Sequence, residues 1–305
     1  MDSFRANSSL GPNGNFTKKD TWDFEMNELV TICVVMSSGY VFWVILQLVS
    51  IFVGLPSNIA LFWLLLSSKN AWSFTELLLL HLGMMDILFC VGLPLEAYAT
   101  FKGASEKMYM TLNTLYALNM FGRPLLLCCI CVERFLAVVH PNTFLKLTVR
   151  QNRILSSVFI WFCTMSMCVF AYFKTMQTIL LTLVCIITAL IIIMIYCNVV
   201  MALVLRKADP GTETEELSVK KDALKTVMLV LAASVVVYTP VLSLASLMEA
   251  FAMKKANNLY CIVIPVLFAF PSLGVCIGPA TYLLNVGKSI LERFPCFKNE
   301  STPID

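Results

Sequence analysis

The chain has 305 residues, of which 59% are hydrophobic and 13% are charged. A soluble domain is about half apolar and about a quarter charged, so the polar residues here are too few to cover a globular surface in water. The net charge of +3 gives no indication of a nucleic-acid partner. Together with a mean hydropathy of +0.81, this composition predicts that the chain lies in a lipid bilayer.

Seven apolar runs are long enough to cross a bilayer, since a helical span needs about 20 residues. They cover 40–66, 74–98, 108–139, 154–173, 178–205, 221–250 and 260–284. Residues 29–38 would make the first helix nearly twice as long as the hydrocarbon is thick, so we place them outside the lipid. A cleaved signal peptide is the alternative for this stretch, although it lacks a clear cleavage site. The predicted divisions are a tail over 1–38, a membrane domain over 39–284, and an amphipathic helix with a second tail over 285–305.

The positions of the basic residues predict the orientation of the chain, because Lys and Arg concentrate in cytoplasmic loops. With the amino terminus outside, thirteen of the 22 Lys and Arg residues lie on the cytoplasmic side, eight lie outside, and Arg123 lies within a span. Sequons at Asn7 and Asn15 agree with a glycosylated extracellular tail. We therefore expect a multi-pass glycoprotein of the plasma membrane with an extracellular amino terminus.

The reactive residues do not form a catalytic or metal-binding pattern. Most of the twelve cysteines lie inside apolar stretches, where Cys acts as a small hydrophobe. No cysteine pair with metal-ligand spacing is flanked by His, so neither a metal nor another cofactor is expected. The sequence contains no evident nucleophile–base set, which argues against an enzyme, and no internal repeat of the kind found in many transporters.

Seven short features follow one another along the predicted spans. They are Asn58, Asp86, Glu133-Arg134-Phe135, Trp161, Tyr196, Tyr238-Thr239-Pro240 and Pro279-Ala280-Thr281-Tyr282. An amphipathic stretch, LLNVGKSILERFPCF, comes next. In this order the features resemble the rhodopsin-like (class A) G-protein-coupled receptors over nearly the whole span region. The segment CVERFLAVVHP and Pro94 are similar to nucleotide, protease-activated and lipid-type receptors. The resemblance implies an all-α membrane fold, a seven-helix bundle with a short amphipathic eighth helix.

The resemblance also implies an activation switch at the cytoplasmic end of the bundle. In the family, an acidic residue holds the neighbouring arginine at rest, and on activation the arginine turns toward tyrosines of the fifth and seventh helices. These roles fall to Glu133, Arg134, Tyr196 and Tyr282, the last beside Pro279. The implied partners are a heterotrimeric G protein and an unknown extracellular ligand. The alternative for Arg134 is an interfacial anchor whose charged head reaches out of the lipid.

Several positions depart from the family pattern. The Cys-Trp-x-Pro motif of the sixth span is Val237-Tyr238-Thr239-Pro240, the Asn before Pro279 is Gly278, and the proline of the fifth span is Thr188. Such changes favour the alternative of a receptor-shaped protein that does not signal, as a decoy or partner subunit. Measuring guanine-nucleotide exchange distinguishes the two hypotheses.

Both cysteines of the disulfide that the family has at the outer face are absent. Tyr109 replaces its cysteine in the third span, and the short segment between the fourth and fifth spans has no cysteine. Cys33 and Cys261 are candidates for a replacement bridge, with two free thiols as the alternative. At the other face, Cys296 follows the amphipathic stretch and is a candidate for palmitoylation, or else an unmodified thiol.

Arg123 is a basic residue deep inside a predicted span, far from either end of it. Asp86 and Arg123 both lie about 17 Å from the cytoplasmic boundary, at roughly 1.5 Å per residue. The family binds a sodium ion at this depth, and our hypothesis is that the guanidinium replaces it and pairs with Asp86. The alternative is that each side chain finds other partners or water.

A ligand cavity is expected between the outer halves of the second, third, sixth and seventh spans. Its predicted lining is Glu96, Tyr116, Met120, Tyr238 and Phe268, with ordinary aromatic packing as the alternative. The resemblance excludes two ligand classes. An amine receptor would have Asp in place of Tyr116, and an opsin would have its Schiff-base Lys in place of Ser272.

Overall fold

In the computed structural model, the regular structure of the described residues is helical, and no strand occurs among them. The described residues are 38–67, 72–102, 105–174, 176–207, 215–252, 258–280 and 282. Seven long helices form the bundle, and each coincides with one of the seven predicted apolar runs. The all-α membrane fold expected from the sequence is therefore confirmed.

The helix boundaries follow the chain in order. The first helix runs over Ser38–Val49, a π-helical turn Ser50–Gly54 and Leu55–Ser67. The second is Phe74–Lys102, and the third comprises Glu106–Ala117, a π-helical turn Leu118–Gly122 and Arg123–Val139. A short loop helix, Pro141–Leu147, precedes the fourth helix Arg150–Phe173. The fifth is Met176–Lys207, the sixth Glu215–Ala252, and the seventh Asn258–Leu273 followed by a 3₁₀ turn Gly274–Cys276 and helix to residue 280.

Within the described residues, six of these helices are long and apolar enough to cross a membrane. The seventh has a shorter apolar segment, Pro265–Ala280, which is interrupted by the 3₁₀ turn. The third helix is the centre of the bundle. In its most apolar stretch 72% of the residues are buried, compared with 22% in the fourth helix. Large apolar side chains of the fourth helix, such as Phe159 and Phe162, are 62% and 69% exposed. A membrane protein presents such residues to lipid.

Both π-helical turns have the same local cause. Each ends at a glycine, Gly54 or Gly122, and each is followed two residues later by a proline, Pro56 or Pro124. A proline inside a helix lacks the N–H donor and clashes with the carbonyl four residues earlier. A wider turn relieves this clash, and single π turns are the usual way in which a helix absorbs an extra residue. Pro240, in contrast, lies within the continuous sixth helix.

Side chains of the first helix hold the irregular part of the seventh. Ser50 donates a hydrogen bond from Oγ to the Ser272 carbonyl at 2.9 Å, and Asn58 donates from Nδ2 to the Val275 carbonyl at 2.9 Å. A 3₁₀ turn leaves carbonyl groups without the regular helical donors. Because lipid supplies no donor, the bundle has to satisfy these carbonyls itself.

Some predicted features lie outside the described residues. These are Asn7, Asn15, Cys33 and Cys296, together with the predicted amphipathic eighth helix and tail over 285–305. The side chains of Cys261 and Phe268 are also outside the description. The nine described cysteines are free thiols.

Candidate functional site

A buried ion pair lies at the centre of the bundle. Arg123 donates to Asp86 Oδ1 from Nε at 2.9 Å and from Nη2 at 2.5 Å. The two side chains are 0% and 1% exposed. Asp86 Oδ2 has no hydrogen-bond partner among the described residues, so both donors converge on a single carboxylate oxygen.

The seventh helix completes this pair. Arg123 donates from Nη1 to the Pro271 carbonyl at 2.9 Å, just before the 3₁₀ turn. A Cβ at Gly274 would collide with the same Nη1 atom, so only glycine leaves room for the guanidinium. One arginine therefore joins the second, third and seventh helices.

The structure brings together the two charges that sequence reasoning placed at one depth. The Pro271 carbonyl and the buried Tyr238, which interacts electrostatically with Arg123, were not predicted as parts of this centre. A signal was present in the glycines at 274 and 278, which lack the side-chain oxygens that would otherwise surround Asp86. Removing one member of a buried pair usually costs about 3–5 kcal/mol.

A second charged group lies at the predicted cytoplasmic end. Glu133 is 4% exposed and accepts a hydrogen bond from Thr75 Oγ1 at 2.7 Å. Arg134 Nε lies 3.4 Å from Glu133 Oε2, and the Arg134 side chain is 34% exposed. The acid is thus fixed by a second helix, whereas the arginine is held by a longer contact and remains partly accessible.

The other predicted switch residues differ in how deeply they are buried. Pro279 is buried, and Tyr282 is half-buried and packs against the core. Tyr196 is 61% exposed, and its ring centroid lies 6.2 Å from that of Phe135. The structure therefore does not place Tyr196 among the buried residues on the inward side of the fifth helix.

The four predicted pocket residues whose side chains are described differ in their surroundings. Tyr116 donates a hydrogen bond to Glu96 Oε1, and Gln47 donates to Glu96 Oε2 at 2.6 Å. Met120 and Tyr238 are 3% and 0% exposed and belong to the hydrophobic core. This Glu96 cluster thus joins the first, second and third helices.

Sequence reasoning missed the contribution of the first helix to this cluster. Gln47 is 4% exposed, and Trp43, one turn away, is 7% exposed, so this side of the first helix faces the protein. A glutamine in an otherwise apolar span is a detectable signal, because a polar side chain in lipid needs a partner inside the protein. Among the described residues, no group of three or more His, Cys, Asp or Glu side chains is arranged to hold a metal ion.

Comparisons with known proteins give a consistent result. The family model described as 7 transmembrane receptor (rhodopsin family) matches residues 57–179. Proteinase-activated receptor 3 from Bos taurus is 31% identical over 113 residues, which make up 36% of this chain and 29% of the relative. Lysophosphatidic acid receptor 6 from Mus musculus is 30% identical over 115 residues, or 37% of this chain and 33% of the relative. Lysophosphatidic acid receptor 4 from Mus musculus is 25% identical over 319 residues, or 92% of this chain and 81% of the relative.

The first two matches thus span only 29% and 33% of the length of those relatives. The proteinase-activated and lysophosphatidic acid receptors agree with the subgroup indicated by the sequence. The matched segment 57–179 contains the Asp86–Arg123 and Glu133–Arg134 pairs.

Proposed function

We propose that the chain is a receptor of the rhodopsin family, whose model matches residues 57–179, and that it promotes nucleotide exchange on a heterotrimeric G protein in response to an extracellular ligand. In this proposal the protein lies in the plasma membrane with its amino terminus outside. The membrane domain is 39–284, with an extracellular tail before it and a cytoplasmic tail after it. A receptor of this family is a binding and signalling protein, not an enzyme.

The observation that carries the proposal is the Glu133–Arg134 pair. Thr75 fixes the Glu133 carboxylate at 2.7 Å, and Arg134 is held only at 3.4 Å. Arg134 is partly exposed and its contact is long, so it can leave toward water while Thr75 still donates to the buried Glu133 carboxylate. We infer that Glu133 and Arg134 form the resting switch. The released Arg134 turns toward the fifth helix and toward the seventh, near Pro279 and Tyr282.

On the outer side we propose that the Glu96 cluster forms part of the ligand site. Its carboxylate accepts hydrogen bonds from Tyr116 and Gln47, which fixes the orientation of the acid. A preorganised polar group between aromatic side chains is typical of small-molecule sites. Because the cluster includes the first helix, this site is displaced from the sixth helix relative to the expectation from sequence.

Nucleotide exchange in membranes from cells expressing the protein tests the proposal. Glu133→Gln keeps an oxygen for Thr75 but removes the charge that holds Arg134, so ligand-independent exchange is expected to rise several-fold. Arg134→Ala is expected to reduce exchange to the level of untransfected membranes. Surface labelling of each variant provides the control for expression.

The second candidate function is a receptor-shaped protein that does not signal. The observation that favours it is the Arg123 centre, which ties together the second, third and seventh helices through Asp86 and Pro271. If wild type and Glu133→Gln both reach the surface and neither promotes exchange, the signalling proposal fails and this candidate replaces it.

A further inference from the structure

The buried side of the fifth helix contains an asparagine with an unused acceptor. Buried residues recur at spacings of three and four, at Ile187, Leu190, Met194, Cys197 and Met201. Asn198 adjoins this stripe and is 2% exposed. Tyr196 lies two residues earlier, which places it about 160° around the helix axis. Its 61% exposure agrees with that position.

The Asn198 side chain is only half satisfied. Its Nδ2 donates to the Met194 carbonyl of the same helix at 2.8 Å. Its Oδ1 is buried and has no hydrogen-bond partner in the part of the chain that the structure describes. Buried polar atoms are normally paired, and an unpaired one calls for a specific reason. A partner that is present only in another state of the protein is such a reason.

Arg134 is a donor at a matching position along the bundle axis. The ring centroids of Phe135 and Tyr196 lie 6.2 Å apart, so these two residues lie at similar depth on the third and fifth helices. Both helices run in the same direction across the membrane. Arg134 is one residue before Phe135 and Asn198 is two residues beyond Tyr196, which gives an axial offset of about 4.5 Å. An extended arginine side chain readily covers that distance.

We propose that Arg134, when released from Glu133, donates a hydrogen bond to Oδ1 of Asn198, so that Asn198 and not Tyr196 is its acceptor on the fifth helix. This inference rests on the proposed function, since it concerns the same switch. Asn198 is then a positioning residue that fixes the guanidinium in the active arrangement. A charge-assisted hydrogen bond of this kind is stronger than one between neutral groups.

A double-mutant cycle for thermal unfolding tests the contact without any G protein. The full-length protein is solubilised in detergent, and the cycle combines Asn198→Leu with Arg134→Gln in the Glu133→Gln background. In this background we expect the change in unfolding temperature of the double variant to differ by about 3 °C from the sum of the two single changes. When Glu133 is present, we expect this difference to be near zero. Tyr196→Phe is the matched control and is expected to show no coupling with Arg134→Gln. The proposal is overturned if Asn198 and Arg134 are uncoupled in the Glu133→Gln background, or if Tyr196 shows the coupling instead.

Nucleotide exchange separates this proposal from the receptor function. Asn198→Leu is expected to lower the exchange of the Glu133→Gln variant about tenfold, while Tyr196→Phe leaves it unchanged. Exchange that depends on Arg134 but not on Asn198 overturns the inference and leaves the receptor function standing. Coupling in the unfolding cycle, with no exchange by any variant, supports the contact and refutes the signalling function.

Discussion

Arg123 is the residue whose loss has the most direct consequence. Arg123→Ala leaves the Asp86 carboxylate buried without its cation and the Pro271 carbonyl without its donor. We expect the free energy of unfolding to fall by about 3–5 kcal/mol. The double variant Arg123→Ala/Asp86→Asn is expected to regain part of this loss, because no charge is then buried alone. Thermal unfolding in detergent measures both, and a single variant as stable as wild type would contradict the buried-pair hypothesis.

Gly274 gives an independent test of the same centre. The added methyl group of Gly274→Ala meets the Arg123 guanidinium, so we expect a loss of about 1–3 kcal/mol from overpacking. Gly83→Ala is the matched control, since its Cβ would meet Asn58 Oδ1 at an ordinary 3.8 Å. In an Arg123→Ala background the cost of Gly274→Ala should disappear. Equal costs in both backgrounds would show that the glycine serves another purpose.

At the level of single residues, the sequence predicted the buried charged side chains but not the uncharged groups that they bind. Asp86 and Arg123 could be matched because residue number translates into depth at roughly 1.5 Å per residue. The Pro271 carbonyl could not be predicted, because it is a main-chain group near a 3₁₀ turn that side-chain patterns do not specify. The pairing of Glu96 with Gln47 needed knowledge of how the first helix is rotated.

The seventh helix depends on donors from its neighbours. Ser50→Ala removes the hydrogen bond to the Ser272 carbonyl, which is buried, and we expect a loss of about 1 kcal/mol. Ser57→Ala is the matched control, because its hydroxyl bonds to the Gly54 carbonyl of its own helix and should therefore have a negligible effect. Relative thermal stability distinguishes the two. If the two variants lose the same stability, the contact between the first and seventh helices is not what Ser50 contributes.

The sequence predicted where the helices lie along the chain, but not which face of each helix points into the bundle. In water, the apolar face of a helix identifies its buried side. In lipid, both the buried and the exposed faces are apolar, so this signal is weak, and the fifth helix shows the result. Tyr196 and Asn198 are two residues apart, yet one is 61% exposed and the other 2% exposed. The family resemblance pointed to the tyrosine, and only the packed structure identified the asparagine as the inward residue.

For the whole molecule, the seven predicted crossings are expected to place two short connections on opposite sides of the membrane. Ser105 lies between the second and third helices, on the predicted outer side, and Lys146 lies in the loop helix on the predicted inner side. Both positions are exposed, so a cysteine at either leaves the core in place, and Ser105→Cys gives up only the hydrogen bond that Ser105 Oγ accepts from the Met108 N–H. A membrane-impermeant thiol reagent should label Ser105→Cys on intact cells and Lys146→Cys only after permeabilisation. The wild-type chain, whose native cysteines remain, gives the background for each measurement.

This topology is the condition for every proposal about the switch and the ligand site. Three crossings before Lys146 and four more before Tyr282 put Glu133, Arg134, Pro279 and Tyr282 on one side, where a cytoplasmic partner can reach them. The same count puts the Glu96 cluster toward the extracellular side. Labelling of Ser105→Cys and Lys146→Cys from the same side would break this separation, because the third helix would then fail to cross. A receptor that transmits a signal across the bilayer cannot be built on such a chain.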